Sequence, residues 1–327
     1  MDPSLTLVTG ATGLVGNNMV RLLLERGQAV RVLVRAGCDR RPLDGLDVET
    51  IEGDVRDADA VRRAARGAGW VVHSAGIVQL GRTGLDLQRA VNVEGTRHVA
   101  QSARAEGARM VHVSSCDTVK VDSHDKPADE QAPFSAGIAV PYVITKCEAE
   151  RFIGQQAAQG LDAVIVNPSL MLGPWDWKPS SGRMLLEVAC NRGLLAPRGT
   201  CSLCDVRDVA GGILAAIERG VAGERYLLAG VTFTYLEAWR LFAEVCGARR
   251  PLGRAGPLML KTAGLTGDLW ARLTGHEPVV NSGAIALAAL PKSYTSARAE
   301  KELGYTIRPI KETIGDAWEW LKEHGYA

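Results

Sequence analysis

Over the first half of the chain, short apolar runs alternate with longer stretches in which apolar residues recur every three or four positions. The first pattern predicts strands and the second amphipathic helices. The strand-like runs are LTLVT, AVRVLV, DVETIEG, GWVVHSA, RMVHVSS and LDAVIVNPS. Helical patterns over Gly13–Arg26, Ala58–Arg66, Leu85–Glu106 and Pro141–Gln159 fall between them. This alternation of strand and helix predicts an α/β fold, a doubly wound parallel sheet of six strands covered by helices on both faces. After Gly173 the rhythm breaks at WDWKPSSG. Helical patterns near Met184–Asn191, Val206–Glu218, Leu236–Cys246 and Ile310–His324 then predict a smaller, mostly helical lobe, the last two flanking a stretch spotted with Gly and Pro. The expected division is a sheet domain over residues 1–170, with returns near 200–230, and a lobe over 171–327.

The first strand runs into TGATGLVG, with Gly10, Gly13 and Gly16 three residues apart where strand turns into helix. Gly10 permits the tight turn, Gly13 lets the backbone approach a pyrophosphate, and Gly16 lets the helix pack on the strand, so free N–H groups face the anion. Thr12, Leu14 and Val15 complete this cradle. A preceding strand, a following helix and a second strand about 20 residues on make the glycine pattern a dinucleotide-binding signature of the Rossmann type. The residue closing the second strand selects the cofactor. An acid there would bind the ribose 2′-hydroxyl of NAD; this chain has Arg35, with Arg40 and Arg41 behind it, and a guanidinium suits a 2′-phosphate. NADP is therefore the expected cofactor and NAD the alternative, with Asp39 within reach of the same ribose. Asp54, closing the third strand, and Val55 beside it are expected at the adenine.

Tyr142 and Lys146 lie four apart on a predicted helix, hence on one face, and Ser115 closes the strand before it. Strand ends of an open parallel sheet border the ligand crevice, so the three segments converge there. Hydride transfer to a carbonyl creates an alkoxide that needs a proton. A phenol is a usable acid near neutrality when a cation such as Lys146 stabilises its anion, and Ser115 supplies a hydrogen bond to the carbonyl oxygen.

Composition narrows the partners. Lys plus Arg is 38 against 37 Asp plus Glu, with no long block of one sign, which argues against nucleic acid and against a charged membrane tail. No apolar stretch reaches the roughly 18 residues of a membrane span, and MDPSLTLVTG has no basic leader, so a cytoplasmic protein without a membrane partner is expected. Seven scattered cysteines argue for reduced thiols rather than a disulfide framework. Cys201 and Cys204 have the spacing of half a zinc site, but nothing completes four ligands; strand packing is the expected role, with no metal.

These residues resemble the extended, or atypical, short-chain dehydrogenases of the NAD-dependent epimerase/dehydratase type. TGATGLVG looks like the family's glycine motif, NVEGT at Asn92–Thr96 like its Asn-containing helix, YVITK like its Tyr-x-x-x-Lys, and NPSLMLGP like its nicotinamide-side loop. VRVLVR, GERYLLAG, RLTGHEPVV and ELGY extend the similarity to bacterial dihydroflavonol-4-reductase-like proteins and hopanoid-associated sugar epimerases. The resemblance implies that Asn167, Pro168, Ser169 and Leu170 line the nicotinamide, that Lys146 also holds its ribose, that Asn92 braces the active-site helix, and that Ala75-Gly76 borders the cofactor. It also implies a homodimer through the Leu85–Glu106 and Pro141–Gln159 helices.

The leading functional expectation is an NADP-dependent reductase or alcohol dehydrogenase acting on a small hydrophobic or phenolic molecule, with Trp175 and Trp177 either covering the substrate or packing the lobe. A nucleotide-sugar epimerase would need a cationic clamp, for which Arg183, Arg198 and Arg207 are candidates. A 4,6-dehydratase is disfavoured because Cys116-Asp117 stands where those relatives carry Asp-Glu. A non-catalytic dinucleotide sensor is the third reading.

Overall fold

The computed structural model describes residues 5–179 and 181–327. Its centre is a seven-stranded parallel sheet in the order β10-β6-β5-β4-β1-β2-β3. The strands are β1 (Thr6–Thr9), β2 (Val30–Val34), β3 (Glu49–Glu52), β4 (Trp70–His73), β5 (Arg109–Val113), β6 (Ala163–Pro168) and β10 (Arg225–Leu228). Successive side chains enter opposite cores: Leu7, Val71 and Met110 pack on one face, Val8, Val72 and Val111 on the other. Both faces of the central strands are covered, which is why β1, β4, β5 and β6 read as nearly continuous apolar runs, whereas the edge strand β3, Glu-Thr-Ile-Glu, is largely exposed. Helices α2 (Ala58–Ala65), α4 (Gly95–Glu106) and α5 (Pro141–Ala158) cover the first face; α1 (Leu14–Glu25) and α7 (Val206–Arg219) cover the second. The six expected strands are all present. The seventh, β10, comes from the chain's second half, in the stretch near 200–230 where the sequence predicts a return to the sheet domain but singles out no strand.

The expected helix over Leu85–Glu106 is not continuous. It starts as α3 (Leu85–Gln88), widens into a π-helical segment over Arg89–Glu94, and resumes as α4. Such a widening inserts an extra residue and turns side chains to faces that regular periodicity would not give them; here it carries Asn92.

The second lobe holds short strands β7 (Leu170–Leu172), β8 (Leu195–Ala196), β9 (Thr200–Asp205), β11 (Val231–Thr234) and β12 (Gly253–Arg254), with helices α6 (Gly182–Ala189), α8 (Tyr235–Cys246) and α12 (Ile310–Glu323) around a core that includes Leu185, Leu203, Phe242 and Trp320. The stretch spotted with Gly and Pro folds into α9 (Pro257–Thr274), α10 (Ser282–Ala288) and α11 (Ala297–Leu303). Among the described residues no helix is long and apolar enough to cross a membrane.

Candidate functional site

The sheet order reverses at β1, between β2 and β4, and the glycine loop emerges at that switch point. Gly10 has φ +77°, and a Cβ on it would stand 2.6 Å from Ala75 N, so both the conformation and the space exclude a side chain. A Cβ on Gly16 would run into the Gly10 carbonyl, which keeps α1 tight on β1. Gly13 forms the N-cap of α1 without a side-chain cap, leaving the first-turn N–H groups directed at the loop mouth. Thr12, Leu14 and Val15 are half-buried around it. The cradle therefore fits a pyrophosphate on the observation that its two closest approaches admit no Cβ. Asn17 donates to Pro42 O at 2.6 Å and so fixes the segment after β2 against the cradle.

Arg35 lies exposed at the end of β2. Arg40 pairs with Glu52 at 2.9 Å and Arg41 with Asp39 at 2.7 Å, whereas Arg35 has no ion pair among the described residues. Arg41 also holds the Asp39 carboxyl down to about 2 by hydrogen bonds and charge, so that carboxylate is engaged. Asp54 turns back to Arg56 at 2.9 Å, which lowers its pKa, and Val55 is buried, its carbonyl 2.9 Å from His98 Nδ1.

Ser115 and Tyr142 meet through a hydrogen bond, and Lys146 follows one turn along the helix that carries Tyr142. β5 delivers Ser115, whose Oγ accepts from Asp117 N at 3.1 Å. Pro141 occupies the first turn of α5, where its missing N–H costs no hydrogen bond, and sets Tyr142 at the crevice. All three side chains are buried. Burial and the charge of Asp117 push the Tyr142 phenol up, while the Ser115 hydrogen bond and Lys292 oppose them. Lys146 donates to Val113 O at 2.9 Å and is brought to about 8 by burial, with Glu150 acting the other way. Lys292 thus also acts on the phenol electrostatically, from the chain beyond α10.

Lys292 comes from the chain between α10 and α11 and pairs with Asp117 at 2.6 Å. Nothing in the spacing around PKSY marks it; only the packing of the second lobe brings it to β5. Glu150, one turn beyond Lys146, accepts from Ser114 Oγ at 2.6 Å, Thr118 Oγ1 at 2.9 Å and Asn167 Nδ2 at 2.8 Å. That network ties α5 to the ends of β5 and β6, and it leaves Asn167 Oδ1 buried without a partner. Asn92 accepts from Ile77 N at 2.8 Å and donates to Ile77 O at 3.1 Å and Thr145 Oγ1 at 3.0 Å. It braces the segment after β4 against α5. Beside it, a Cβ on Gly76 would lie 3.6 Å from Lys146 Nζ, and Ala75 borders the glycine loop.

Pro168 is buried at the end of β6, and Ser169 Oγ donates to Cys204 Sγ at 3.3 Å with Leu170 following on β7. Cys201 and Cys204 lie buried on β9 and pack. Trp175 and Trp177 also pack: they join Trp320 of α12 with ring centroids at 6.0 and 5.2 Å, and the Arg21 guanidinium covers Trp175 at 3.2 Å. Tyr142 instead shares an apolar cluster with Val140, Val143, Leu287 of α10 and Leu290. The three candidate clamp arginines are engaged elsewhere, Arg183 with Glu187 at 3.4 Å, Arg198 with Ala255 O at 2.9 Å, and Arg207 with Asp205 at 2.7 Å.

Fold and glycine loop together are those of a dinucleotide-dependent enzyme. The model of the NAD dependent epimerase/dehydratase family matches residues 6–229, and the chain belongs to that family. It is an NAD(P)-dependent enzyme acting on CH–OH or carbonyl groups. It is 36% identical to sterol demethylase protein B of Methylococcus capsulatus, over 98% of this chain and 99% of that protein. It is 32% identical to a Synechocystis protein named after dihydroflavonol 4-reductase, over 98% and 95%. The solved structure of gox2253 superposes with a TM-score of 0.86 at 33% identity, covering 98% of this chain and 99% of that one.

Proposed function

We propose that this protein is an NADP(H)-dependent reductase or secondary-alcohol dehydrogenase for an apolar carbonyl compound, with dihydroflavonol-4-reductase-like chemistry. The observation that carries the reading is the Ser115–Tyr142 pair at the crevice: a buried phenol beside a hydroxyl, walled by Leu287 and Leu290. Bound NADPH would supply the hydride. Tyr142, whose phenol burial keeps protonated at neutral pH, donates its proton to the substrate oxygen, and Ser115 positions that oxygen with its own hydroxyl. Lys146 and Asn92 hold the floor of the crevice, Lys146 also reaching the nicotinamide ribose. Gly10, Thr12, Gly13, Leu14, Val15 and Gly16 hold the pyrophosphate. Val55 and Ala75 border the adenine side, Pro168, Ser169 and Leu170 the nicotinamide.

Arg35, exposed and without an ion pair among the described residues, is the group for a 2′-phosphate. Engagement of Arg183, Arg198 and Arg207 with their own neighbours speaks against a diphosphate clamp and hence against nucleotide-sugar epimerisation. The likeness to a protein named for sterol demethylation agrees with an apolar substrate. A homodimer through α4 and α5 and a site in the cytoplasm complete the proposal.

The test is NADPH consumption with apolar ketones, dihydroflavonols and nucleotide sugars, repeated with Tyr142→Phe. We expect an apolar ketone to be reduced and the variant to bind NADPH normally while turnover falls by about 10² to 10⁴. Near-normal turnover in a correctly folded variant would place the acid elsewhere.

A further inference from the structure

Helix α9 is built inside out. Its protein-facing side is made of small residues: a Cβ on Gly264 would stand 3.1 Å from Ser282 Cα, and one on Gly267 would run into the Val280 carbonyl, so α9 lies close against α10. Its large apolar residues face away. Leu258, Leu265, Leu269 and Leu273 follow at intervals of seven, four and four, forming one stripe that Met259 and Trp270 widen. Leu258 is 75% exposed, Leu273 76% and Trp270 58%. Nine of the fifteen large apolar side chains that stand exposed among the described residues fall between Leu252 and Val280, under a tenth of the chain, so this is a patch and not scattered surface hydrophobics.

The charges around the stripe are one-sided. Lys261 and Arg272, the two cations of α9, are exposed and form no ion pair among the described residues. The two acids of the same segment are committed inward: Asp268 accepts from Ser282 N at 3.0 Å and Glu277 from Gly81 N at 2.7 Å. A second copy docking face to face through this patch would set these cations against their own equivalents with no free acid between them. An anionic lipid surface meets the same patch with opposite charge and takes up leucine and tryptophan at the headgroup boundary.

We propose that α9 is an interfacial membrane anchor that lays its Leu/Trp face into the surface of an anionic phospholipid bilayer without spanning it. This revises the expectation, drawn from composition, that the protein has no membrane partner: a near-neutral total charge hides two unpaired cations on the helix that carries the apolar stripe. The inference rests on the surface alone and stands whichever substrate the crevice takes. Its consequence is positional, since α10, on which α9 rests, contributes Leu287 to the cluster containing Tyr142.

The test is co-sedimentation of the full chain with vesicles of phosphatidylcholine alone and of phosphatidylcholine with phosphatidylglycerol. We expect binding to the mixed vesicles, and a loss of about tenfold or more in Leu269→Glu/Leu273→Glu, the order expected when leucine burial is replaced by carboxylate insertion. Lys261→Glu/Arg272→Glu should weaken binding to the anionic vesicles in particular. Circular dichroism and NADPH binding should not change, because neither pair touches the crevice. No binding of the unmodified chain to either vesicle overturns the proposal. So does a dimer in sedimentation velocity that the Leu269→Glu/Leu273→Glu pair dissociates while vesicle binding persists, which would make α9 an interface between copies.

Discussion

Replacing Lys146 by Met should stabilise the cofactor-free protein near pH 7 while weakening its function. Lys146 is brought from the usual 10.5 to about 8 by burial. That gap, at 1.36 kcal/mol for each factor of ten, corresponds to about 3 kcal/mol spent holding the ammonium charged in the folded state. Methionine fills the same volume without the charge. It loses the hydrogen bond to Val113 O, at roughly 1–2 kcal/mol, so the net gain near pH 7 is about 1–2 kcal/mol. The sign reverses at high pH. Below pH 8 the lysine is charged whether folded or unfolded, and the native state carries the whole penalty. Between pH 8 and 10.5 the unfolded chain still binds the proton while the native state has released it, so this group's contribution to stability rises with pH. Cys116, Cys147, Cys201, Cys204 and Cys246 are all pushed up by burial, and their contribution falls as pH rises past the ordinary thiol value. Only the difference between the two proteins therefore isolates Lys146. Urea unfolding by tryptophan fluorescence without cofactor, near pH 7 and near pH 10, should show the variant ahead at the lower pH and level or behind at the higher. A variant less stable near pH 7, or a difference that does not move with pH, would refute the reasoning. NADPH affinity and turnover should both fall, the usual cost of removing a strained functional group.

Arg35→Asp should invert cofactor preference, weakening NADPH about tenfold or more through loss of a charge-assisted phosphate contact, and tighter binding of NADH than NADPH by the unmodified protein would sink the assignment. Ser115→Ala should lower turnover by about 10² or more with cofactor affinity spared; an equal loss of both would make Ser115 a folding residue instead, since its Oγ also caps the turn at Asp117. Trp177→Ala should cost about 2–4 kcal/mol in a thermal or urea unfolding measurement, because its ring is edge-on to Trp320 and His324, while leaving the Michaelis constant alone. A raised Michaelis constant at unchanged stability would return Trp177 to the substrate.

The sequence by itself determined whatever depends on neighbours along the chain. Period-two and period-3.6 patterning fixes strand and helix because each element must bury one face or both. TGATGLVG specifies its turn because a Cβ at Gly10 or Gly16 has nowhere to go, and the Tyr142–Lys146 spacing sets both on one helix face whatever lies opposite. A helix face says what two residues share, not which acceptor a flexible ammonium reaches, and Lys146 reaches Val113 O.

What only the tertiary structure decided is everything joined across long separations. Strand β10 completes the sheet by pairing with β6 from more than fifty residues away, and Lys292 reaches Asp117 from the far lobe. Glu150 is a routine helical acid in sequence and the buried acceptor of four side chains, those of Ser114, Thr118, Asn167 and Arg225, in the fold. Asn92 turns to Ile77 because the helix widens around it, a change of period that the helical pattern conceals. Helix α9 lies in the stretch spotted with Gly and Pro, where the sequence pattern predicts no helix; only the fold shows it, and the glycines packed on α10 decide that its leucines face out.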